Sequence, residues 1–224
     1  MSRAPSVKPL VRSSIIEGVG RVVLSDVEEN NVLTRRLVDE AIAAHDALAG
    51  EGVRVAVLAA EGSAWCGGGD FKAKREPGVP PAALELFSTL NGSPMVWIAA
   101  VHAPVLGAGM HLASACLRVL MADDAWMSVP GWSEGRFPGP LTAELARIIG
   151  HRRAVRLAMT EERIEAVECL RLGLADAVVP ARDLQGSAQR LGRDLLAADE
   201  SALAAARQAW SRRLETPPGQ GPHP

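Results

Sequence analysis

The amino-acid sequence predicts an α/β protein, because apolar segments typical of buried strands alternate with segments of helical periodicity. Residues 53–59 and 95–101 are continuous apolar runs, as expected of strands that are covered on both faces of a sheet. Residues 34–49 place apolar side chains at helical spacing, and Gly50 follows them as a stop signal. A chain of 224 residues favours a single domain with one sizeable core.

The remaining segments continue this alternation and divide the chain. Further strands are predicted at residues 21–24, 118–122 and 175–179. Further helices are predicted at residues 82–90, 107–116, 141–149, 152–159, 166–172, 185–197 and 202–214. The predicted parts are an N-terminal extension (1–14), a core (15–180), a C-terminal helical region (181–215) and a disordered Pro/Gly-rich tail (216–224). Residues 71–81, charged and proline-containing, are predicted to form a mobile loop.

Composition excludes several classes of protein. The hydrophobic share of 48% and charged share of 22% are typical of a globular protein, and a net charge of −2 disfavours nucleic-acid binding. The three cysteines are far apart in sequence, which disfavours disulfide pairing and a metal site, and no signal peptide is visible. The longest apolar region, residues 95–122, is interrupted by polar residues and is not a membrane span. We therefore expect a cytoplasmic protein.

The first motif follows the predicted strand at 53–59. Residues 64–70 read Ala-Trp-Cys-Gly-Gly-Gly-Asp. Three consecutive glycines allow left-handed backbone angles and a close approach to a ligand, and the N–H groups of such a turn can converge on a carbonyl oxygen. An ordinary strand-to-loop turn explains the same glycines equally well.

The second motif joins a predicted strand to a helix of small residues. The helix opens with Gly107, Ala108 and Gly109. The first turn of a helix has N–H groups without partners, and its dipole favours negative charge there. His111 lies three residues after Ala108 and therefore on the same helical face. Close packing of the helix against the sheet is the alternative explanation of the small residues.

The third motif is a loop rich in turn residues. It begins with Ala-Asp-Asp-Ala at 122–125 and leads to residues 128–139, which read Ser-Val-Pro-Gly-Trp-Ser-Glu-Gly-Arg-Phe-Pro-Gly. Its two aromatic side chains, Trp132 and Phe137, are compatible with a pocket wall. A structural connection remains the alternative.

Together, these motifs resemble the crotonase superfamily of enoyl-CoA hydratases and isomerases. The order and spacing of the three motifs match, as do the later blocks Arg-Ile-Ile-Gly at 147–150 and Leu-Ala-Met-Thr at 157–160. The resemblance covers roughly residues 15–212. It implies a crotonase-type α/β fold, in which repeated ββα units form a spiral core with a C-terminal helical region. It also implies an enzyme that acts on an acyl thioester.

The resemblance assigns roles to individual residues. The backbone N–H groups of Gly69 and Ala108 match the oxyanion hole that holds the thioester carbonyl, and His111 and Glu134 are the acid/base candidates. Substrate contacts are implied for a further set of residues: Cys66, Gly68, Asp70, Phe71, Lys72, Gly107 and Trp132. Lys72 or Lys74 is a candidate for contacting phosphate.

The sequence departs from the family at the proton chemistry. The family's two catalytic glutamates fall on His111 and Gly131, so hydration by a glutamate pair is not expected. Glu134 lies three residues further on and would serve only in a reshaped loop. His111 is either an acid/base group or a packed histidine. We expect His102 to be structural and Glu144 to lie on an exposed helix face.

These observations leave two functions open. One is an enzyme that isomerises, decarboxylates or dehydrates an acyl thioester through an enolate, and polyketide-type metabolism is a candidate setting by analogy. The other is a non-catalytic acyl-thioester-binding or scaffold protein. The resemblance implies no cofactor beyond the thioester of coenzyme A or phosphopantetheine, an acyl carrier protein as a candidate partner, and a homotrimer or other homo-oligomer.

Overall fold

The computed structural model describes residues 8–70 and 81–212. Within these ranges six strands form one sheet, in the order β1-β2-β3-β4-β6-β9. These strands span Val11–Ile16 (β1), Val19–Leu24 (β2), Val55–Ala60 (β3), Val96–Val101 (β4), Arg118–Ala122 (β6) and Ala177–Val179 (β9). β1 is antiparallel to β2, and the other pairs are parallel. Every residue of β3 and β4 is buried, which confirms the prediction from their continuous apolar runs.

A smaller sheet of three strands lies beside the first, in the order β5-β7-β8. Its strands are Pro104–Leu106 (β5), Trp126–Ser128 (β7) and Ile164–Glu165 (β8). β4 and β5 lead into one helix, and β6 and β7 lead into the next. The chain therefore repeats a ββα unit, in which one strand joins each sheet.

The helices match the predicted segments closely. They span Arg35–Gly50 (α1), Pro81–Gly92 (α2), Ala108–Ala115 (α3), Gly139–Ile149 (α4), His151–Thr160 (α5), Ala166–Leu172 (α6), Leu184–Leu196 (α7) and Glu200–Arg212 (α8). α1 begins after Thr34, whose Oγ1 accepts a hydrogen bond from the N–H of Leu37 at 3.3 Å. α6 ends at Gly173, whose φ of 78° is the left-handed angle that favours glycine.

Helices cover both faces of the six-stranded sheet. A Cβ added at Gly20 of β2 would meet the Leu48 side chain of α1 at 3.0 Å. Val19 is the neighbouring residue of β2. A Cβ added at Gly192 of α7 would lie 2.8 Å from its side chain. Since successive strand residues point to opposite faces, α1 and α7 pack on opposite sides. The core lies between them, around β3 and β4.

Four strands were absent from the predictions: β1, β5, β7 and β8. β1 begins at Val11, four residues inside the predicted N-terminal extension, and its remaining residues are exposed. β5, β7 and β8 have three residues or fewer, too short to show a periodicity. The predicted tail at 216–224 and nearly all of the predicted loop at 71–81 lie outside the described residues.

Candidate active site

The first glycine-rich turn is held beside the start of α3 by strand-like hydrogen bonds. After β3 the chain returns to pair with β5: the N–H of Trp65 donates to the Pro104 carbonyl, and the N–H of Leu106 donates to the Cys66 carbonyl, each at 3.0 Å. Because Cys66 is the last residue before the glycines, this pairing fixes the turn at the junction of β5 and α3. The structure thus brings the first two motifs together.

Gly68 and Gly109 lie at this junction where there is no room for a side chain. Gly68 has φ of +104°, and a Cβ there would lie 3.0 Å from the Leu106 carbonyl oxygen and 3.9 Å from the Ala108 nitrogen. A Cβ at Gly109 would lie 2.8 Å from Cys66 Cβ. Real Cβ atoms do not approach that closely, so the first turn of α3 and the glycine turn are in direct backbone contact.

Two N–H groups at this junction are available as donors. In the described part of the chain, neither the N–H of Gly69 nor that of Ala108 donates to a backbone acceptor. Ala108 is the first residue of α3, where helical geometry provides no internal acceptor. Both residues are buried, so a bound carbonyl oxygen would meet these donors with little competition from water.

Cys66 packs between the two turns. Its side chain is fully buried, and the N–H of Gly68 hydrogen-bonds to its sulfur. Burial raises the pKa of the Cys66 thiol to about 12, and the Gly68 hydrogen bond opposes this only in part. The thiol therefore stays protonated at neutral pH and is a poor nucleophile. That Cys66 contacts the substrate stays a prediction.

His111 lies on α3 one turn after Ala108, where the sequence predicted it. Its ring stacks on Phe87 of α2 with a centroid distance of 4.3 Å and an angle of 25° between the planes. Phe87 is itself 3% exposed, so the aromatic contact fixes the plane of the imidazole. The imidazole is half-buried.

The third motif approaches the same helix start from the other side. The N–H of Gly107 donates to the Ser128 carbonyl at 3.0 Å, and a Cβ on Gly107 would lie 3.8 Å from the Pro130 ring. Gly131, which follows, is buried and has φ of +136°. The position that matches the family's second glutamate therefore directly follows Pro130, which borders the start of α3, and carries no side chain.

The side chains of Glu134 and Trp132 contact residues of the third motif and not His111. The Glu134 carboxylate is 61% exposed and pairs with the Arg136 guanidinium at 2.8 Å. Trp132 is 47% exposed and meets Phe137 edge-on, with a centroid distance of 6.4 Å. In the described part of the chain neither side chain hydrogen-bonds to or stacks on His111, so the structure does not join the two acid/base candidates.

Further residues singled out from the sequence are Asp70, Phe71, Lys72, Lys74 and His102. Asp70 is half-buried at the end of the glycine turn. Phe71, Lys72 and Lys74 lie outside the described residues. His102 Nε2 is 3.1 Å from the Gly62 carbonyl oxygen, in agreement with a structural role.

The expectation for Glu144 was wrong. It is 2% exposed, on the buried side of α4, and its carboxylate lies 3.6 Å from the Arg147 guanidinium three residues later. The apolar periodicity of α4 did not reveal this, because a charged residue can be buried when a cation covers it.

Sequence reasoning also missed Glu161. Its carboxylate accepts hydrogen bonds from the N–H of Gly131 at 2.5 Å and from the N–H of Ser133 at 3.1 Å. The Ser133 hydroxyl donates to the other carboxylate oxygen at 2.7 Å. A residue 30 positions away in sequence gives no local signal for such contacts.

The described ranges contain neither a candidate metal site nor a candidate membrane-spanning helix. Residues 8–70 and 81–212 contain no group of three or more His, Cys, Asp or Glu side chains placed to hold a metal ion. None of the helices in those ranges has the length and apolar content that crossing a bilayer requires.

Comparison with known proteins identifies the class. The family model for enoyl-CoA hydratase/isomerase matches residues 14–221. The chain therefore belongs to the enoyl-CoA hydratase/isomerase family, and the predicted crotonase superfamily membership is confirmed. A probable enoyl-CoA hydratase of Mycobacterium tuberculosis is 28% identical over 179 residues, which cover 79% of this chain and 74% of the relative. An enoyl-CoA isomerase/hydratase of Mycosarcoma maydis is 29% identical over 217 residues, with 89% and 79% covered.

Solved structures share the fold. An enoyl-CoA hydratase structure from Mycobacterium smegmatis superposes with a TM-score of 0.84 at 28% identity, covering 93% of this chain and 85% of that one. A Geobacillus kaustophilus enoyl-CoA hydratase structure gives a TM-score of 0.82 at 29% identity, with 93% and 83% covered. The predicted crotonase-type α/β fold is thus confirmed.

Proposed function

We propose that the protein acts on an acyl thioester through an enolate, with the N–H groups of Gly69 and Ala108 as the oxyanion hole. Removing a group or a proton next to a thioester carbonyl places negative charge on the carbonyl oxygen. Preorganised N–H donors at that oxygen lower the barrier by roughly 3 kcal/mol each. Isomerisation, decarboxylation and dehydration all require this stabilisation.

One observation carries the proposal: the direct backbone contact between the turn at Gly68–Gly69 and the start of α3. A Cβ on Gly68 would be 3.9 Å from the Ala108 nitrogen, so the residue that precedes Gly69 lies against the first residue of α3. Family membership supports the thioester as the ligand, because relatives are named for enoyl-CoA substrates.

Glutamate-pair hydration is the reaction that this site supports least. Gly131 has no side chain to activate water, and the backbone N–H there is bonded to Glu161. His111 is the side chain proposed to accept and return one proton, since histidine is the most frequent general acid or base in enzymes. A reaction with one proton shuttle, or with none as in decarboxylation, fits these residues.

Turnover of enoyl and malonyl-type thioesters by His111→Ala and Glu134→Gln tests this assignment. On the enoyl thioester, whose isomerisation needs a proton shuttle, we expect His111→Ala to lower kcat by 10²-fold or more and Glu134→Gln to leave it nearly unchanged. The matched control is His151→Ala, which removes an exposed histidine at the start of α5. Full activity in His111→Ala would exclude histidine as the proton shuttle.

The carrier of the acyl group is part of the proposal. Coenzyme A and the phosphopantetheine arm of an acyl carrier protein present the same thioester carbonyl. Calorimetry with matched acyl-CoA and acyl carrier protein distinguishes the two carriers. A homotrimer, a cytoplasmic location and a role in polyketide-type metabolism remain predictions.

A second candidate function follows from Gly131. Without the second carboxylate, the protein could bind acyl thioesters and catalyse nothing. Tight binding of the carbonyl together with no conversion of any acyl thioester would favour this binding or scaffold role. Conversion that depends on His111 would exclude it.

A further inference from the structure

Glu161 connects the end of α5 to the loop at residues 130–135, in which Pro130 borders Gly107 before the start of α3. It follows the last residue of α5 with left-handed angles, φ 52° and ψ 22°, and its own N–H donates to the Leu157 carbonyl. Its carboxylate accepts the N–H groups of Gly131 and Ser133 and the Ser133 hydroxyl. Three donors on one carboxylate are strong, charge-assisted hydrogen bonds. They hold the loop in one conformation.

A second contact from the same residue fixes the strand before the loop. The Ser128 hydroxyl donates to the backbone carbonyl of Glu161 at 3.0 Å. Ser128 is also the residue whose carbonyl accepts the N–H of Gly107, next to Ala108. A continuous path of hydrogen bonds therefore runs from Glu161 through Ser128 to the start of α3.

The charge of Glu161 is suited to this contact. The Ser133 hydroxyl, followed by the N–H groups of Ser133 and Gly131, lowers the pKa of the Glu161 carboxyl below its ordinary value of 4.5. The carboxylate is therefore ionised throughout the neutral range. Its oxygens are occupied by loop donors, so this residue is poorly placed to act as a general base itself.

We propose that Glu161 is a positioning residue for the oxyanion hole: it sets the loop at 130–135 against Gly107 and thereby the direction of the Ala108 N–H. The inference rests on the proposed function. It assigns to this chain a carboxylate that acts through the backbone at the place where Gly131 offers none. Glu161 does not itself touch the thioester in this proposal.

Glu161→Gln tests the contact with the loop, and Glu162→Gln is the matched control. Glu162 is the adjacent residue with the same charge, and its carboxylate pairs with Arg156 at 3.0 Å instead of the loop. In the free protein we expect amide exchange at Gly131 and Ser133 to rise about tenfold in Glu161→Gln, because both N–H groups donate to one carboxylate oxygen and a neutral amide oxygen is a weaker acceptor than a charged one. Exchange in Glu162→Gln should match the wild type.

The role in the oxyanion hole needs a readout specific to the carbonyl. Calorimetry compares an acyl-CoA thioester with the thioether analogue, which lacks the carbonyl oxygen. We expect the wild type and Glu162→Gln to bind the thioester more tightly than the thioether. In Glu161→Gln the ratio of the two affinities should fall about tenfold, while the affinity for the thioether stays unchanged. If Glu161→Gln does not fold, Ser133→Ala removes one donor and should lose part of the preference.

The outcomes separate the two proposals. A wild type that does not distinguish thioester from thioether would overturn the proposed function. A wild type that does distinguish them, with Glu161→Gln and Ser133→Ala equal to it, would overturn the positioning role and leave the proposed function intact.

Discussion

Cys66 and Gly109 meet where the two candidate donor turns converge, and the contact decides which residues are tolerated. A Cβ at position 109 would be 2.8 Å from Cys66 Cβ and 2.9 Å from its carbonyl oxygen. The carbonyl is held by the N–H of Leu106 and cannot move away freely. Packing therefore explains the glycine at position 109, and the same packing positions the adjacent N–H group of Ala108.

Gly109→Ala should lower the free energy of unfolding by about 1–3 kcal/mol, because the added methyl forces two backbone segments apart. Chemical denaturation measures this change. Gly50→Ala is the control: Gly50 ends α1, and nothing lies within 4 Å of an added Cβ. Equal stability of the two variants would contradict the close contact at Cys66.

The thiol of Cys66 should resist alkylation in the native protein. Its pKa is raised to about 12 by burial, so the reactive thiolate is scarce at pH 8. Mass spectrometry after treatment with iodoacetamide should find Cys66 unmodified in buffer and fully modified in denaturant. Rapid labelling in buffer would show that the site opens.

At the scale of elements, the loop after β7 is arranged around the backbone of Gly131. Its carbonyl accepts the N–H groups of Glu134 and Arg136, at 3.1 and 2.8 Å. Its N–H is bonded to Glu161. The φ of +136° permits this arrangement and disfavours any side chain.

Gly131→Glu should therefore fail to create a hydratase. An added Cβ would lie 3.3 Å from the Arg136 carbonyl oxygen in a backbone conformation that glutamate rarely adopts. We expect no hydration of enoyl-CoA and a loss of about 1–3 kcal/mol in the free energy of unfolding. Gly139→Glu, at an open position at the start of α4, should retain wild-type stability. Hydratase activity in Gly131→Glu would mean that the loop rearranges readily.

At the scale of the whole molecule, a buried network around Ser93 joins three distant parts of the chain. Ser93 Oγ accepts the N–H of Met95 and the indole N–H of Trp97, each at 3.0 Å. With both lone pairs occupied, its O–H donates to His45 Nε2 at 3.0 Å, and His45 Nδ1–H donates to Asp46. The Ser93 carbonyl accepts Arg207 of α8 at 2.9 Å.

Ser93→Ala should lower the free energy of unfolding by about 3 kcal/mol, since it leaves two buried donors without an acceptor. The matched control, Ser88→Ala, removes an exposed hydroxyl of α2 and should change stability by less than about 0.5 kcal/mol. Thermal and urea unfolding measure both variants. A stability equal to that of the control would show that water replaces the hydroxyl.

Prediction from sequence succeeded where the pattern is local. β3 and β4 were predicted from continuous apolar runs, which a strand buried on both faces shows within a few residues. α1 was predicted from its helical periodicity, which a helix buried on one side shows in the same way. β1 was missed because it is an edge strand with exposed residues, and Glu144 was misplaced because the cation that covers it is invisible to periodicity.

The sequence alone determined the α/β class and the positions of the glycine turns, because both are encoded in residue type and spacing, and the family resemblance placed Gly131 at the position of a missing carboxylate. Tertiary structure decided which groups meet: the contact of Gly68 with Ala108, the stacking of His111 on Phe87, and the hydrogen bonds between Glu161 and the loop. These depend on how sheets and helices pack, which brings together residues 24 to 40 positions apart and leaves no periodic trace in the chain.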